Sequence, residues 1–184
     1  MSMFKRILIP VDGSAPSDAA VDLGIIFAAD QHAELGFVHV CDMARMAALV
    51  SGAGMVATDP SPMFSAEREF GQALLHSAVE KAAARAGAHA MTFYEEGGCV
   101  DAILGVAERW NADLIIVGSH GRGGIARALL GSVAEGVLRR ARVPVLVMHV
   151  GNARPARPAN GEVAQRVSAA ASVSGTPHEV DPIC

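Results

Sequence analysis

The sequence predicts an α/β protein with a single domain, in which an open five-stranded parallel sheet carries helices on both faces. Short apolar runs alternate with segments whose apolar residues recur at helical spacing, which is typical of parallel sheets. The first run, Ile7 to Val11, is apolar throughout, as expected for a strand that is buried on both faces. Glycine, aspartate or serine follows several of these runs and indicates turns.

The amino-terminal third predicts a strand, a helix and a second strand. Asp12-Gly13-Ser14 predicts a turn after the first strand. The Ser14 hydroxyl suits a helix N-cap, and Pro16 suits the first turn of that helix. Apolar residues then recur at helical spacing as far as Ala28, and the second strand is predicted from Leu35 to Val40.

The middle of the chain predicts a connection, a helix and a strand. In residues 42–64, methionines alternate with glycines and prolines, which favours a long loop with at most about one helical turn. Residues 65–86 predict a helix that ends at Gly87, and residues 89–94 predict a strand. The predicted buried face of this helix comprises Phe70, Leu74, Ala78 and Ala82.

The last ordered part predicts a helix at 100–110, a strand at 114–117, a glycine-rich loop, a helix at 132–141 and a strand at 143–150. In a parallel sheet, ligands bind beyond the carboxyl ends of the strands, where the strand order reverses. Asp12 and Gly118 each come directly after a predicted strand, so we expect both at that edge of the sheet.

Composition separates the chain into two parts and excludes several classes of partner. Residues 1–150 form the predicted domain, whereas 151–184 form a Pro/Ala/Ser-rich tail that we expect to be disordered. The net charge of −4 argues against nucleic acid or an anionic membrane as a partner. Three scattered cysteines predict reduced thiols, and no apolar run approaches the ~20 residues of a membrane span. We therefore expect a cytoplasmic protein.

The stretch from Gly118 to Ser132 reads GSHGRGGIARALLGS and has the features of a phosphate-binding loop. Its glycines allow the backbone to approach a ligand closely, and the following helix offers free N–H groups to an anion. Ser132 and Glu135 have the S-x-x-E spacing of a capping box, so Ser132 alternatively serves only to cap its own helix. Arg122 and Arg127 add positive charge to the loop.

Two better-known nucleotide motifs are excluded by the residues. A P-loop requires a lysine after its glycines, and the only lysines are Lys5 and Lys81, outside any such motif. A dinucleotide fingerprint would follow the first strand, where this chain has Asp12-Gly13-Ser14. Without a lysine, the loop is poorly equipped for phosphoryl transfer.

Residues 3 to 150 resemble the universal stress protein A family. The resemblance rests on ILIPVDGS, VHV at 38–40, ADLIIVGSHGRGG and the closing VPVLV. Gly118, Gly121, Gly131 and Ser132 also meet the spacing G-x2-G-x9-G-[ST], which marks the family members that bind ATP. The family often has proline where Cys99 stands here. The resemblance implies a Rossmann-like fold of the adenine nucleotide alpha hydrolase-like type.

The resemblance also implies a site for ATP, with Mg²⁺ or Mn²⁺ on the phosphates, and a homodimer through the last strand, Val143 to His149. Pairing an apolar edge strand in this way is physically sensible. The implied nucleotide contacts are Pro10, Val11 and Asp12 for adenine and ribose, Val40 for adenine, Val117, Gly118, Ser119, His120, Gly121, Arg122 and Gly123 for ribose and phosphates, and Gly131, Ser132 and Val133 for phosphates.

Three functions remain open from the sequence. The first is an ATP-binding stress-response regulator that acts as a homodimer on an unidentified client protein. The second is a slow ATPase or phosphotransferase, although no catalytic residue and no protein ligand for a metal is identified. The third is an interaction module that binds no nucleotide. Asp12 is expected to contact ligand rather than to act as a base, His120 to bind phosphate or lie in solvent, and His39 to be structural.

Overall fold

The fold is known from a computed structural model that describes residues 3–52, 61–86, 89–120 and 130–150, without the side chains of 49–52. The predicted tail at 151–184 lies outside the described residues and stays a prediction. The elements in chain order are β1 (Arg6–Pro10), α1 (Ala15–Gln31), β2 (Glu34–Asp42), α2 (Met43–Gly52), α3 (Ser61–Ala86), β3 (Ala90–Gly97), α4 (Cys99–Arg109), β4 (Leu114–Gly118), α5 (Ser132–Arg140) and β5 (Val145–Met148).

The five strands form one parallel sheet in the order β3-β2-β1-β4-β5. In register, Ile9 lies opposite Phe37 of β2, and Leu8 lies opposite Ile115 of β4. The predicted fold class is therefore confirmed. Strand order reverses between β1 and β4, which places a crevice at their carboxyl ends.

Alternate residues of the strands supply two hydrophobic cores. Ile7 and Ile9 face a cluster that includes residues of α1 and α3, whereas Leu8 faces a cluster with residues of α4 and α5. This division follows from the two-residue period of a strand, which sends successive side chains to opposite faces. Burial on both faces explains why β1 is apolar without interruption.

The start of α1 confirms the N-cap that the sequence predicts. The Ser14 Oγ accepts the Ser17 N–H at 3.3 Å, and Pro16 lies in the first turn. At the opposite end of the sheet, the Asp113 carboxylate accepts the N–H groups of Lys5 and Arg6 at 2.7 and 2.9 Å. These bonds join the beginnings of β1 and β4.

Three predictions for the middle of the chain need correction. The segment predicted as a long loop contains the ten-residue helix α2, and α3 begins at Ser61 rather than at residue 65. The buried stripe of α3 consists of Gly71, Leu75, Ala78 and Ala82, whereas Phe70 is 40 % exposed. At Gly71, α3 approaches the sheet so closely that a side chain would collide with the rings of His39 and Tyr94.

Among the described residues, the structure contains no helix with the length and apolar character that crossing a bilayer requires. The longest helix, α3, carries charged residues along its length. Its buried contacts are with the sheet core.

Candidate functional site

The turn after β1 forms one side of the crevice and holds the first group of predicted contacts, Pro10, Val11 and Asp12. The Ser17 Oγ donates to the Pro10 carbonyl at 3.3 Å and accepts the Asp12 N–H at 3.2 Å. The Asp12 Oδ1 accepts the Ser14 N–H at 3.0 Å. The Asp12 side chain therefore stabilises its own turn, which is a structural role independent of any ligand.

The carboxyl end of β4 packs closely on the start of α1, and Gly118 makes this approach possible. A Cβ atom at Gly118 would lie 2.8 Å from both the Pro16 carbonyl carbon and the Ser17 nitrogen. Both are backbone atoms, which cannot rotate away as a side chain can. The glycine is thus required by packing of the protein on itself, in addition to any approach to a ligand.

Ser119 joins three segments at the crevice and is 1 % exposed. Its N–H donates to the Met148 carbonyl at 2.6 Å, and its carbonyl accepts the Gly131 N–H at 2.7 Å. Next to it, the His120 carbonyl accepts a hydrogen bond from the Ser14 Oγ at 3.1 Å. Through these bonds the ends of β4 and β5 and the starts of α1 and α5 occupy fixed places.

The start of α5 differs from the predicted capping box. Gly131 is the N-cap, with extended dihedral angles and no side-chain capping bond, and Ser132 is the first helical residue. The prediction of Ser132 as the cap is therefore wrong. The Gly131 N–H is held by the Ser119 carbonyl, and the helix begins with the next residue, Ser132. The N–H groups of Ser132, Val133 and Ala134 have no carbonyl one turn earlier in the helix, and helix starts of this kind can bind an anion.

Two histidines flank the Ser119 hydroxyl. Its Oγ lies 3.0 Å from the Nδ1 of His149 and 3.1 Å from the Nδ1 of His120. A hydroxyl has one hydrogen and two lone pairs, so Oγ donates to at most one of the two rings and accepts from at least one Nδ1–H. His120 is half-buried and its Nδ1 is bonded to Ser119, while the choice between phosphate binding and a solvated ring stays a prediction.

His149 is a residue of this cluster that the sequence analysis did not place in the site. Gly118 lies opposite Met148 in the β4–β5 register, so the residues that follow them are neighbours. A signal was present in the sequence, because Ser119 lies just after one predicted strand and His149 is a polar residue near the end of the other, which was predicted at 143–150. Using it required the register of the two strands, which their apolar pattern leaves undetermined.

The structure brings most of the predicted site residues to one edge of the sheet. Pro10, Val11 and Asp12 meet Val117, Gly118, Ser119 and His120 across the crevice, with Gly131, Ser132 and Val133 behind them. Val40 lies on the neighbouring β2, half-buried against the core with α4 and α5. Gly121, Arg122 and Gly123 lie outside the described residues, as does Arg127.

His39 is bonded on one ring nitrogen, so the expectation of a structural histidine is fulfilled only in part. Its ring is 1 % exposed, and its Nδ1 lies 2.7 Å from the Val11 carbonyl oxygen. Its Nε2 is buried and has no hydrogen-bond partner within the described part of the chain. The Glu67 Oε1 lies 3.5 Å from it, without hydrogen-bond geometry.

Two cysteines at the carboxyl end of β2 and the start of α4 are protonated at neutral pH. Burial and the adjacent Asp42 carboxylate raise the pKa of Cys99 to about 11, and its Sγ lies 3.7 Å from the Asp42 Oδ2. Burial also raises the pKa of Cys41. A thiolate is the reactive form of cysteine, so both thiols are unreactive near pH 7. In the described ranges, no three or more His, Cys, Asp or Glu side chains are grouped as metal ligands.

These features define a class: a doubly wound α/β protein in which a helix starts, with free N–H groups, at the point where the strand order reverses. The model of the universal stress protein family matches residues 3–149, and the chain belongs to this family. The protein is similar to the universal stress protein YxiE of Bacillus subtilis, with 34 % identity over 151 residues, which cover 79 % of this chain and 99 % of the relative.

Solved structures of the family have the same fold. A universal stress family protein of Burkholderia pseudomallei is 32 % identical, with a TM-score of 0.63 over 80 % of this chain and 98 % of the other. A universal stress protein solved in complex with cAMP is 28 % identical, with a TM-score of 0.56 over 79 % of this chain and 97 % of the other. Both likenesses extend over nearly the whole of those proteins.

Proposed function

We propose that this protein binds an adenine nucleotide, ATP above all, and acts as a nucleotide-dependent stress-response regulator. The observation that carries the proposal is the start of α5, where the amides of Ser132, Val133 and Ala134 lie beside the carboxyl end of β4. A helix start combines free N–H groups with the positive end of the helix dipole, and both favour a phosphate. The relative solved with cAMP supports an adenine nucleotide as the ligand class.

We place the remainder of such a ligand in the crevice. Pro10 at the end of β1 and Val40 on β2 are both half-buried and would border adenine together with the backbone of Val11, while the phosphates would take the start of α5. Mg²⁺ or Mn²⁺ would then be held on the phosphates. A regulatory role is favoured over hydrolysis because the Asp12 Oδ1 already accepts the Ser14 N–H and no lysine follows the glycines.

The proposal includes a cytoplasmic homodimer that pairs through Val143 to His149 and presents its nucleotide state to a client protein. Among the described strands, β5 pairs only with β4, so its second edge is open. An unpaired edge offers N–H and C=O groups to another strand, which supports its use in a dimer. Sedimentation equilibrium tests this part, and a monomer at every concentration used for calorimetry would contradict it.

Calorimetry of the full chain, freed of nucleotide, tests the binding proposal. ATP, ADP, AMP and cAMP are titrated with and without Mg²⁺ or Mn²⁺. The decisive variant is Ser132→Glu, which places a carboxylate at the start of α5, where acidic side chains stabilise a helix but repel phosphate. We expect this variant to melt no lower than the unmodified protein and to bind ATP at least about tenfold more weakly, a ratio that corresponds to ~1.4 kcal/mol.

The matched control is Ser61→Glu, the same change at the first residue of α3. It adds the same charge to another helix start, so it should leave ATP affinity within about twofold, a ratio that corresponds to ~0.4 kcal/mol. If the unmodified protein gives no binding heat, the nucleotide proposal is refuted, and an interaction module that binds no nucleotide is the function that remains. Turnover of ATP with Mg²⁺ or Mn²⁺ above that of Asp12→Ala would favour the slow ATPase instead.

A further inference from the structure

The buried imidazole of His39 takes no part in the nucleotide contacts proposed above, yet it bonds directly to the residue that precedes Asp12. His39 lies on β2 and faces the core that contains α1 and α3, since Phe37 on the same face belongs to that core. Its Nδ1 is 2.7 Å from the Val11 carbonyl oxygen, a short and fully buried hydrogen bond. The contact reaches from one strand to the end of its neighbour.

The Val11 carbonyl determines which ring nitrogen of His39 carries the hydrogen. A carbonyl oxygen only accepts, so Nδ1 must be the donor. This assignment follows from the partner rather than from a visible hydrogen. Nε2 has no hydrogen-bond partner among the described residues, and the Glu67 Oε1 lies 3.5 Å from it.

The hydrogen bond holds one end of a peptide group whose other end is also held. The Val11 carbonyl and the Asp12 N–H belong to the same planar peptide unit. His39 donates to the oxygen, while the Asp12 N–H donates to the Ser17 Oγ at 3.2 Å. A plane bonded on both sides cannot rotate without breaking one bond, so the direction of the backbone at Asp12 is fixed.

Helix α3 holds the ring against this peptide. A Cβ atom at Gly71 would lie 2.4 Å from the His39 Cδ2, so the helix backbone approaches the ring edge closely. The charged or titratable groups that face the ring are Glu67, 3.5 Å from Nε2, and Tyr94, whose ring centroid is 5.9 Å away. Phe70 completes the enclosure with its centroid at 6.3 Å.

We propose that His39 is a positioning residue for the candidate nucleotide site, which fixes the Val11–Asp12 peptide through its Nδ1–H and couples that peptide to the position of α3. This inference rests on the proposed function, because Val11 and Asp12 border the ligand only if the crevice binds a nucleotide. It deepens that proposal by identifying a residue outside the crevice on which affinity depends. Movement of α3 would then alter affinity through this single ring.

Two amide variants separate positioning from packing. In His39→Asn, the side-chain NH₂ can occupy the place of Nδ1 and donate to Val11, whereas in His39→Gln it reaches the place of Nε2. Both variants lose the ring, so both are expected to melt at lower and similar temperatures. ATP affinity measured well below the melting temperature should stay within about threefold for His39→Asn, which is ~0.7 kcal/mol, and fall about tenfold for His39→Gln.

Nitrogen-15 NMR of the labelled full chain provides a readout that does not depend on ligand. The ring signals of His39, identified by their loss in His39→Asn, should show a protonated Nδ1. A protonated Nε2 with a bare Nδ1, or equal ATP affinity of the two variants, would overturn the inference. Failure of the unmodified protein to bind any adenine nucleotide would overturn the proposed function instead, and the positioning role with it.

Discussion

Replacing Gly118 by alanine should destabilise the protein, and the structure gives the size of the effect. The added Cβ would meet the Pro16 carbonyl carbon and the Ser17 nitrogen at 2.8 Å, whereas ordinary contact begins at 3.4 Å. The end of β4 or the start of α1 must therefore retreat by about half an ångström, and both are held by the backbone. Overpacking of this kind costs typically ~1–3 kcal/mol.

The matched control is Gly105→Ala in the interior of α4. There the nearest atom to the added Cβ is an Arg109 guanidinium nitrogen at 3.9 Å, so no contact is compressed. Both variants lose the same freedom of the unfolded chain, and helix propensity favours the control by up to ~1 kcal/mol. The two effects on stability should therefore have opposite signs.

Urea denaturation followed by circular dichroism measures both variants against the unmodified protein. We expect the midpoint of Gly118→Ala to fall and that of Gly105→Ala to rise, with unchanged slopes. The reasoning is refuted if Gly118→Ala unfolds at the same urea concentration as the unmodified protein while Gly105→Ala behaves as expected. In that case the contact with α1 relaxes without cost.

Two further predictions concern the sheet and the thiols. Gly36→Ala would place a Cβ 2.7 Å from the ring of Trp110, the single tryptophan of the sequence. We expect a shifted tryptophan emission and a free energy of unfolding lower by ~1–3 kcal/mol. Unchanged emission would contradict this. Cys99 has a pKa of 9.0 when unperturbed and of about 11 in the fold, so the folded state holds the proton more tightly. Its contribution to stability should be complete below pH 9 and be lost as the pH rises towards 11. Asp42→Asn should lower this pKa, as measured by thiolate absorbance against a Cys99→Ser blank, and an unchanged titration would exclude the carboxylate as a cause.

Features that depend on neighbouring residues in the chain were predictable from the sequence. The cap of α1 by Ser14 is such a feature, because the hydroxyl and the Ser17 N–H that it accepts are three residues apart. The parallel sheet was predictable too, since Ile7 to Val11 must be buried on both faces and alternates with helical segments. The location of the crevice at Asp12 and Gly118 followed from the rule for such sheets.

Features that depend on contacts between distant residues were not predictable. The capping box at Ser132 failed because the Ser119 carbonyl, twelve positions from Gly131 along the chain, fixes the N-cap. The buried face of α3 was misplaced because it includes Gly71. This glycine lies against the His39 ring, which belongs to another element, and the helix's own sequence gives no sign of that contact. In both cases the local pattern fits two solutions, and a tertiary contact selects between them.

The proposed nucleotide site and the proposed dimer edge are joined by one residue, Ser119. Its carbonyl holds the start of α5, its N–H holds Met148 at the end of β5, and its hydroxyl bonds the His149 ring. A ligand on α5 and a partner strand on β5 therefore act on the same hydrogen-bonded unit. Linkage requires that if ATP changes the dimer dissociation constant by some factor, dimerisation changes ATP affinity by the same factor.

We expect saturating ATP to change the dimer dissociation constant by about fivefold or more, the lower end of usual coupling between sites. Sedimentation equilibrium with and without ATP measures one side of the cycle, and calorimetry on dilute and concentrated protein measures the other. Ser119→Ala keeps both backbone bonds and removes the hydroxyl bonds to His149 and His120, together with any hydroxyl contact to the nucleotide. Its ATP affinity is therefore measured first, and the dimer constants are compared at saturating ATP, where we expect a smaller coupling. A dimer constant that ATP leaves unchanged would show that the bonds of Ser119 hold the two elements in place without transmitting occupancy between them.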